Sequence, residues 1–449
     1  MSWNSDDELR PTAGRCLVLH PQLKMLSSAA AGKGSALRDP EGRLEEAVRL
    51  AEAIELDIIQ GEIVAVNRPK PATLLGGGAV ERLAGYIAHH DIAVVVIDGA
   101  LTPIQQRNLE TTWNAKVIDR TGLILEIFGA RARTKEGRLQ VELAALSYQR
   151  SRLVRSWTHL ERQRGGFGFM GGPGERQIEA DRRMIDERIT KLKRQLKDVR
   201  RTRELHRQAR QRVPYPVVAL VGYTNAGKST LFNALSNADV VSEDQLFATL
   251  DPTMRSMKLP SGHDVILSDT VGFVSDLPHE LVEAFRATLE EVQQADLLLH
   301  VRDISHADSN AQKEDVDQVL KDLGVSEASD FAIKTPVPLI EVLNKSDLLT
   351  AEMREEQYSR AERQPGHLVL VSAIAREGFS KLLEAIDAQL SARRREVDLK
   401  VSWEDGALLT WLYERGEVTE RSDKEKWVEL KIRLEPEDIA RFEQKKKTI

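Results

Sequence analysis

Gly222-Tyr223-Thr224-Asn225-Ala226-Gly227-Lys228-Ser229-Thr230 decides the fold of this chain. The run fits G-x-x-x-x-G-K-[ST], the loop that wraps nucleotide phosphates. Val217-Val218-Ala219-Leu220-Val221 precedes it and reads as a buried strand, and Leu231-Phe232-Asn233-Ala234-Leu235 opens a helical pattern after it. The loop therefore lies between a strand and a helix N-terminus, where backbone N–H groups and the helix dipole favour an anion. Its two glycines let the backbone close around phosphate. All of 222–230 is expected to contact the nucleotide. Lys228 is expected to reach the β- and γ-phosphates and to act in catalysis, and the Ser229 hydroxyl to ligate Mg²⁺. Asn225 has two readings: a brace for the loop, or a contact to a K⁺ beside the phosphates.

The base is read from Asn344-Lys345-Ser346-Asp347, behind the strand-like Pro338-Leu339-Ile340-Glu341-Val342-Leu343. The Asp347 carboxylate can accept both the N1–H and the 2-amino protons of guanine. Adenine offers no such pair, so ATP would leave that carboxylate unpaired. Asn344 is expected to hold the loop and Lys345 to cover the base. Ser372-Ala373 follows the strand Leu368-Val369-Leu370-Val371 and is expected to bring a backbone N–H to the guanine oxygen.

Asp269-Thr270-Val271-Gly272 ends the strand Asp264-Val265-Ile266-Leu267-Ser268. Asp269 is expected to hold Mg²⁺ through water, and the Gly272 N–H to sense the γ-phosphate and take part in catalysis. Phe247-Ala248-Thr249-Leu250-Asp251-Pro252-Thr253 reads as the other switch. There Phe247 and Thr249 are expected at the nucleotide, with Thr249 as catalytic and Mg²⁺ ligand and Thr253 as second choice. A water-orienting Gln often follows Asp-x-x-Gly, but here Phe273 does. A phenyl ring cannot hold water by hydrogen bonding, so hydrolysis should be slow until a partner or a rearranged switch completes the site. The other reading is that a different residue supplies the polar group.

The chain has 449 residues and a net charge of −6. Residues 150–212 hold 19 Lys/Arg against 8 Asp/Glu. A cation-rich block in an acidic protein suggests a polyanion partner, although a solvated helix face is the plainer alternative. A single cysteine, Cys16, excludes an internal disulfide. The polar N-terminus lacks a signal-peptide core, and no apolar run approaches the ~18 residues of a membrane span. A cytoplasmic monomer is expected.

The expected fold class is α/β. An N-terminal α/β domain (1–137) leads into a helical hairpin (138–213). A P-loop GTPase domain (214–391) and a small α+β C-terminal domain (392–449) follow. Heptad spacing runs through Leu139, Leu143, Leu146, Leu153, Trp157 and Leu160, and again through Ile178, Ile185, Ile189, Leu192, Leu196 and Val199. Residues 164–174 include six glycines, so neither helix continues through them, and 165–174 form the tip. Phe167, Phe169 and Met170 beside arginines suit stacking on unpaired bases. Pro214 and Pro216 end the second helix. Gly76-Gly77-Gly78 is either a second anion loop or a plain turn before a helix over 79–89. The C-terminal domain is expected to hold strands at 397–402 and 427–434 around a helix near 404–415.

Several motifs together resemble the HflX family of translational GTPases, in the Obg-HflX superfamily. They are the 222–230, 247–253 and Asp269–Phe273 runs, Gly171-Gly172-Pro173-Gly174-Glu175 with Asp181-Arg182-Arg183, and Asp119-Arg120-Thr121 leading into Ile124-Leu125. The resemblance spans nearly the whole chain. It implies a bacterial cytoplasmic protein that binds GTP and GDP and hydrolyses GTP on the large (50S) ribosomal subunit. It also implies a role in dissociating or rescuing stalled ribosomes, or in their biogenesis. The hairpin would then reach toward the peptidyl-transferase region and touch rRNA. Phe167-Gly168-Phe169-Met170 is bulkier than the Gly-rich tip usual in the family. A signalling switch whose hairpin docks a protein is the alternative. A second nucleotide site at Gly76–Gly78 is a third reading.

Overall fold

Four apolar runs near the N-terminus pair as a parallel sheet. They are β1 (Arg15–Leu23), β2 (Asp57–Val66), β3 (Val94–Ile97) and β4 (Lys116–Asp119), in the order β2-β1-β3-β4. The computed structural model describes residues 14–23, 39–163, 173–210, 215–236, 247, 253–275, 291–325, 337–392, 395–434, 438–439 and 442. Cys16 and Val18 enter one core and Leu17 and Leu19 another. Burial on both faces is why these strands read as continuous apolar runs. Helices α1 (Pro40–Glu52), α2 (Gly77–His89), α3 (Pro103–Trp113) and α4 (Arg120–Arg131) alternate with the strands. Asp39 caps α1 just before Pro40, Thr102 and Gln105 form a reciprocal capping box on α3, and Asp119 caps α4. Gly76 is the N-cap residue of α2, and Gly77 and Gly78 are its first turn.

Two long helices follow, α5 (Lys135–Gln163) and α6 (Pro173–Arg210). The second has 38 residues, about 57 Å at ~1.5 Å per residue. Ile189, Leu192 and Leu196 of α6 are buried, as its heptads require. On α5 the register differs from expectation. Gln140, Val141 and Ala144 are buried, while Leu139, Leu143 and Leu146 are only half-buried. The reason is a second neighbour: Val141 and Ala144 share a core with Leu50, Ile124 and Phe128 of the N-terminal domain. The side chains of Leu153, Trp157, Leu160 and Ile178, tip residues 165–172 and Pro214 lie outside the described residues.

The central sheet contains β5 (Val217–Gly222), β6 (Thr253–Lys258), β7 (Asp264–Asp269), β8 (Leu297–Asp303), β9 (Leu339–Asn344) and β10 (Leu368–Leu370). Their order is β10-β9-β8-β5-β7-β6, with only β6 antiparallel to its neighbour. Helices α7 (Lys228–Ser236), α8 (Ser309–Asp322), α9 (Ala351–Glu362) and α10 (Phe379–Ala392) accompany it. The strand order turns at β5, so the loops after β5, β7 and β9 meet at the carboxyl ends, where such sheets bind ligands. The C-terminal part has β11 (Arg395–Ser402), α11 (Gly406–Arg415), β12 (Glu417–Asp423) and β13 (Trp427–Leu434), with sheet order β11-β13-β12. Strand β12 corrects the two-strand expectation. Glu417-Val418-Thr419-Glu420-Arg421-Ser422-Asp423 is an edge strand, and its charges erase the apolar signal.

The N-terminal and nucleotide sheets share one core. Phe128 of α4 meets Phe247 edge-on, with ring centroids 4.6 Å apart, and Phe273 and Val274 join the same cluster. Phe128→Ala should therefore cost about 3–5 kcal/mol. Urea unfolding should show a lowered midpoint, and an unchanged midpoint would disprove the shared core.

Candidate nucleotide site

The loop between β5 and α7 is shaped by what crosses it. Gly222 sits at φ +150°, and a Cβ there would lie 2.2 Å from the Val301 carbonyl oxygen. Gly227 sits at φ +87°, and a Cβ there would lie 2.2 Å from Asn344 Nδ2. Both positions therefore demand glycine. Asn225 takes a left-handed φ of +59° at the turn. Lys228 Nζ folds back to donate to the Gly222 and Tyr223 carbonyls at 3.1 and 2.8 Å. Burial pushes its ammonium down to about 8, against the opposing pull of Asp269. Ser229 Oγ donates to Asp269 Oδ2 at 2.7 Å. Ala226 is fully buried, and the Thr224 hydroxyl is buried without a hydrogen-bond partner among the described residues. Thr230 lies half-buried in the first turn of α7. The Tyr223 side chain turns to the N-terminal domain, donating to Glu46 Oε1 at 2.5 Å. Only its backbone stays with the loop.

Gly272 packs against this loop. A Cβ on it would lie 2.9 Å from Thr224 Cγ2 and 3.0 Å from Lys228 Nζ. The next residue continues the contact: Phe273 N–H donates to the Gly222 carbonyl at 3.1 Å and its carbonyl accepts from Thr224 N–H at 2.7 Å. The Phe273 ring is 1% exposed and lies in the shared core. Phe247, expected at the nucleotide, turns its ring into the shared core. Its ring is buried against Phe128 because apolar area gains more there than beside a phosphate. Thr249 lies outside the described residues, and Thr253 begins β6, exposed and paired in register with Asp269.

The base loops are tied together by Asn344. Its Nδ2 donates to the Ala226 carbonyl at 2.9 Å and its Oδ1 accepts from Ala373 N–H at 3.0 Å. Asp347 Oδ1 accepts from Ser372 Oγ at 2.5 Å, which aims the carboxylate. The N–H groups of Ser372 and Ala373 are engaged by Glu377 and Asn344, so neither is presented to a base in this arrangement. Lys345 takes φ +62° and its Nζ lies 2.7 Å from Asp303 Oδ2. Sequence reasoning missed Leu348 and Ile374, 64% and 78% exposed, immediately after Asp347 and Ala373. Their place in those motifs was the available signal.

A solvent-open cleft beside the loop is lined by Thr224, Asn225 and Asp303, together with Arg43 and Glu46 of α1. Nothing in the sequence pointed to α1. The residues present fit a nucleoside phosphate with Mg²⁺. Among the described residues the Thr224 hydroxyl has no hydrogen-bond partner, two glycines leave no room for a Cβ, and the Ser229 and Asp269 oxygens are the hard donors Mg²⁺ prefers. Bound there, Mg²⁺ would neutralise charge on the phosphates.

Gly227→Ala should break the Asn344–Ala226 bond and weaken binding of a fluorescent GDP by about tenfold or more, as expected for a lost buried hydrogen bond plus strain. Wild-type affinity would refute the close approach. Lys228 supplies a pH test. Its pKa of about 8 should rise when phosphate restores a counter-charge, so nucleotide binding takes up a proton above pH 8. Between pH 8 and 9 GDP affinity should fall, by at most about tenfold per unit. Calorimetry in two buffers of different ionisation enthalpy reads the uptake directly.

Comparison with known proteins agrees with the geometry. Residues 41–129 match a model described as GTP-binding GTPase N-terminal, and 131–210 one described as GTP-binding GTPase Middle Region. Residues 217–345 match 50S ribosome-binding GTPase, and 357–448 the HflX C-terminal domain. GTPase HflX of Magnetococcus marinus is 51% identical over 403 residues, 89% of this chain and 90% of that protein. GTPase HflX of Escherichia coli is 42% identical over 400 residues, 89% and 91% of the two chains. With this similarity along most of its length, the chain belongs to the HflX family of GTPases.

Proposed function

We propose that GTP hydrolysis in this chain times its stay on the large ribosomal subunit, with the α5–α6 hairpin as the arm that meets rRNA. Membership of the family makes the chain a GTP hydrolase. Lys228 contacts the β- and γ-phosphates, Ser229 and Asp269 hold Mg²⁺, and the Gly272 N–H meets the γ-phosphate. Asp347 selects guanine, with Leu348 and Ile374 against the base faces. Phe273 leaves water unoriented, so turnover is slow until the ribosome rearranges the switch.

The exposed face of α6 carries this reading. Ile189, Leu192 and Leu196 face inward, while Arg182, Arg183, Lys191, Lys193, Arg194 and Lys197 are exposed. Such a face suits phosphate backbones. A docked protein helix would need apolar residues that α6 already spends on α5. The match at 217–345 to a 50S ribosome-binding GTPase supports the same partner. Among the described residues no helix is long and apolar enough to cross a membrane. Hydrolysis after engagement is the order expected of a factor that splits or rescues stalled ribosomes in the cytoplasm.

Turnover with and without large ribosomal subunits tests this, in wild type and with residues 165–174 replaced by a short Gly-Ser linker. Wild type should be stimulated about tenfold or more, as when a partner completes a GTPase site. The linker variant should lose most of that. No stimulation of wild type sinks the proposal.

A further inference from the structure

Asp119 and Arg120 are consecutive, yet they serve different parts of the molecule. Asp119 ends β4 and accepts the α4 capping bond from Gly122 N–H at 2.9 Å. Its Oδ2 accepts from Tyr148 Oη at 2.5 Å and from Arg152 Nη1 at 3.3 Å, both midway along α5. Arg152 also donates to Tyr148 Oη at 2.5 Å and to the Leu101 carbonyl at 3.4 Å. The middle of α5 is thereby fastened to the end of β4.

Arg120 points the other way, into the nucleotide domain. Its guanidinium is buried, pairs with Asp98 at 2.5 Å and Glu46 at 3.2 Å, and donates to Ser275 Oγ at 2.7 Å and the Ser275 carbonyl at 3.3 Å. Glu46 also accepts from Ser275 Oγ at 3.1 Å and from Tyr223 Oη, and Ser275 N–H donates to Tyr223 Oη at 2.8 Å. Arg120, Glu46 and Tyr223 thus surround Ser275. That residue lies three positions after Gly272, and Tyr223 is the first residue of the phosphate loop after Gly222.

We propose that Arg120 is a positioning residue for the GTP switch, and that the Asp119–Arg120 pair couples residues 272–275 to the middle of the hairpin helix α5. A shift of Ser275 between the GDP and GTP states moves Arg120. The shared backbone moves Asp119, and Asp119 carries Tyr148 and Arg152 with it. By linkage, a load on the hairpin acts back on the switch with equal free energy. The coupling is a property of the free chain; only the source of the load rests on the ribosomal reading. Spatial intermediacy alone does not establish coupling, so the test measures both ends.

Hydrogen–deuterium exchange of the full chain is compared with GDP and with a non-hydrolysable GTP analogue. In wild type, amides 120–125 and 145–152 should exchange at rates differing by about threefold or more between the two nucleotides, the signature of a local stability change. Ser275→Ala should lose the difference at both segments, and Arg120→Lys should do the same if its longer gap leaves Ser275 ungripped. Tyr148→Phe should keep it at 120–125 and reduce it at 145–152, where only the Arg152–Asp119 pair remains. GDP affinity within about twofold of wild type certifies a folded site in each variant. Uniform exchange in wild type overturns the proposal, as does a wild-type difference at 145–152 in Ser275→Ala and Tyr148→Phe. A failure of ribosomal stimulation alongside the expected exchange pattern would overturn the ribosomal role and leave the coupling standing.

Discussion

One buried amide holds the nucleotide site together. Asn344 is 2% exposed, and its side chain links the Ala226 carbonyl in the phosphate loop to the Ala373 N–H in the loop after β10. Three strand ends are thereby fixed by one residue. Leaving either buried partner unsatisfied costs about 1–3 kcal/mol. The same side chain occupies the space that a Cβ at 227 would need, so Asn344 and Gly227 form a single constraint. Gly222 stands in the same relation to the Val301 carbonyl. The loop's shape is imposed by the strands beside it as much as by its own glycines.

The second organising contact is ionic. Asp98 is buried with His20, Arg43 and Arg120 around it. Burial alone would raise its pKa, but the His20 hydrogen bond and the two guanidinium charges outweigh that and leave it at about 2. Burial likewise opposes the Arg120 charge, and Glu46 and Asp98 more than offset it. Buried ion clusters of this kind contribute little net stability, because desolvation cancels most of the attraction. Their strict geometry instead fixes how the N-terminal sheet faces Tyr223 and Ser275.

Much of this was legible in the sequence because it is local. The strand before Gly222, the Asn344–Asp347 tetrad and the α6 heptads each depend on neighbouring residues. What was hidden depends on long-range contacts. The α5 register escaped because heptad spacing sees one partner, and α5 has two. Phe247 looked like a switch residue because its motif is contiguous, yet its ring answers to Phe128, far away in the chain. Strand β12 had no apolar alternation to betray it. Glu46 and Ser275 carry no motif, and only folding brings them to Tyr223.

Phe273 shows how packing and chemistry meet. A glutamine there would orient water, but its position is a core position, 1% exposed among Phe128, Val141 and Val221. A buried amide without partners would be costly at that place. The packing that joins the two sheets therefore disfavours a polar side chain at this position. Gly272 and Phe273 also touch Gly222 and Thr224 directly, so any shift of the switch must repack this core. Packed cores move between discrete arrangements rather than deforming smoothly. Gly272 and the N-terminal sheet thus meet across one packed core. The α6 helix reaches that core through α5, whose Val141 and Ala144 lie in it and whose Glu142 pairs with Arg188.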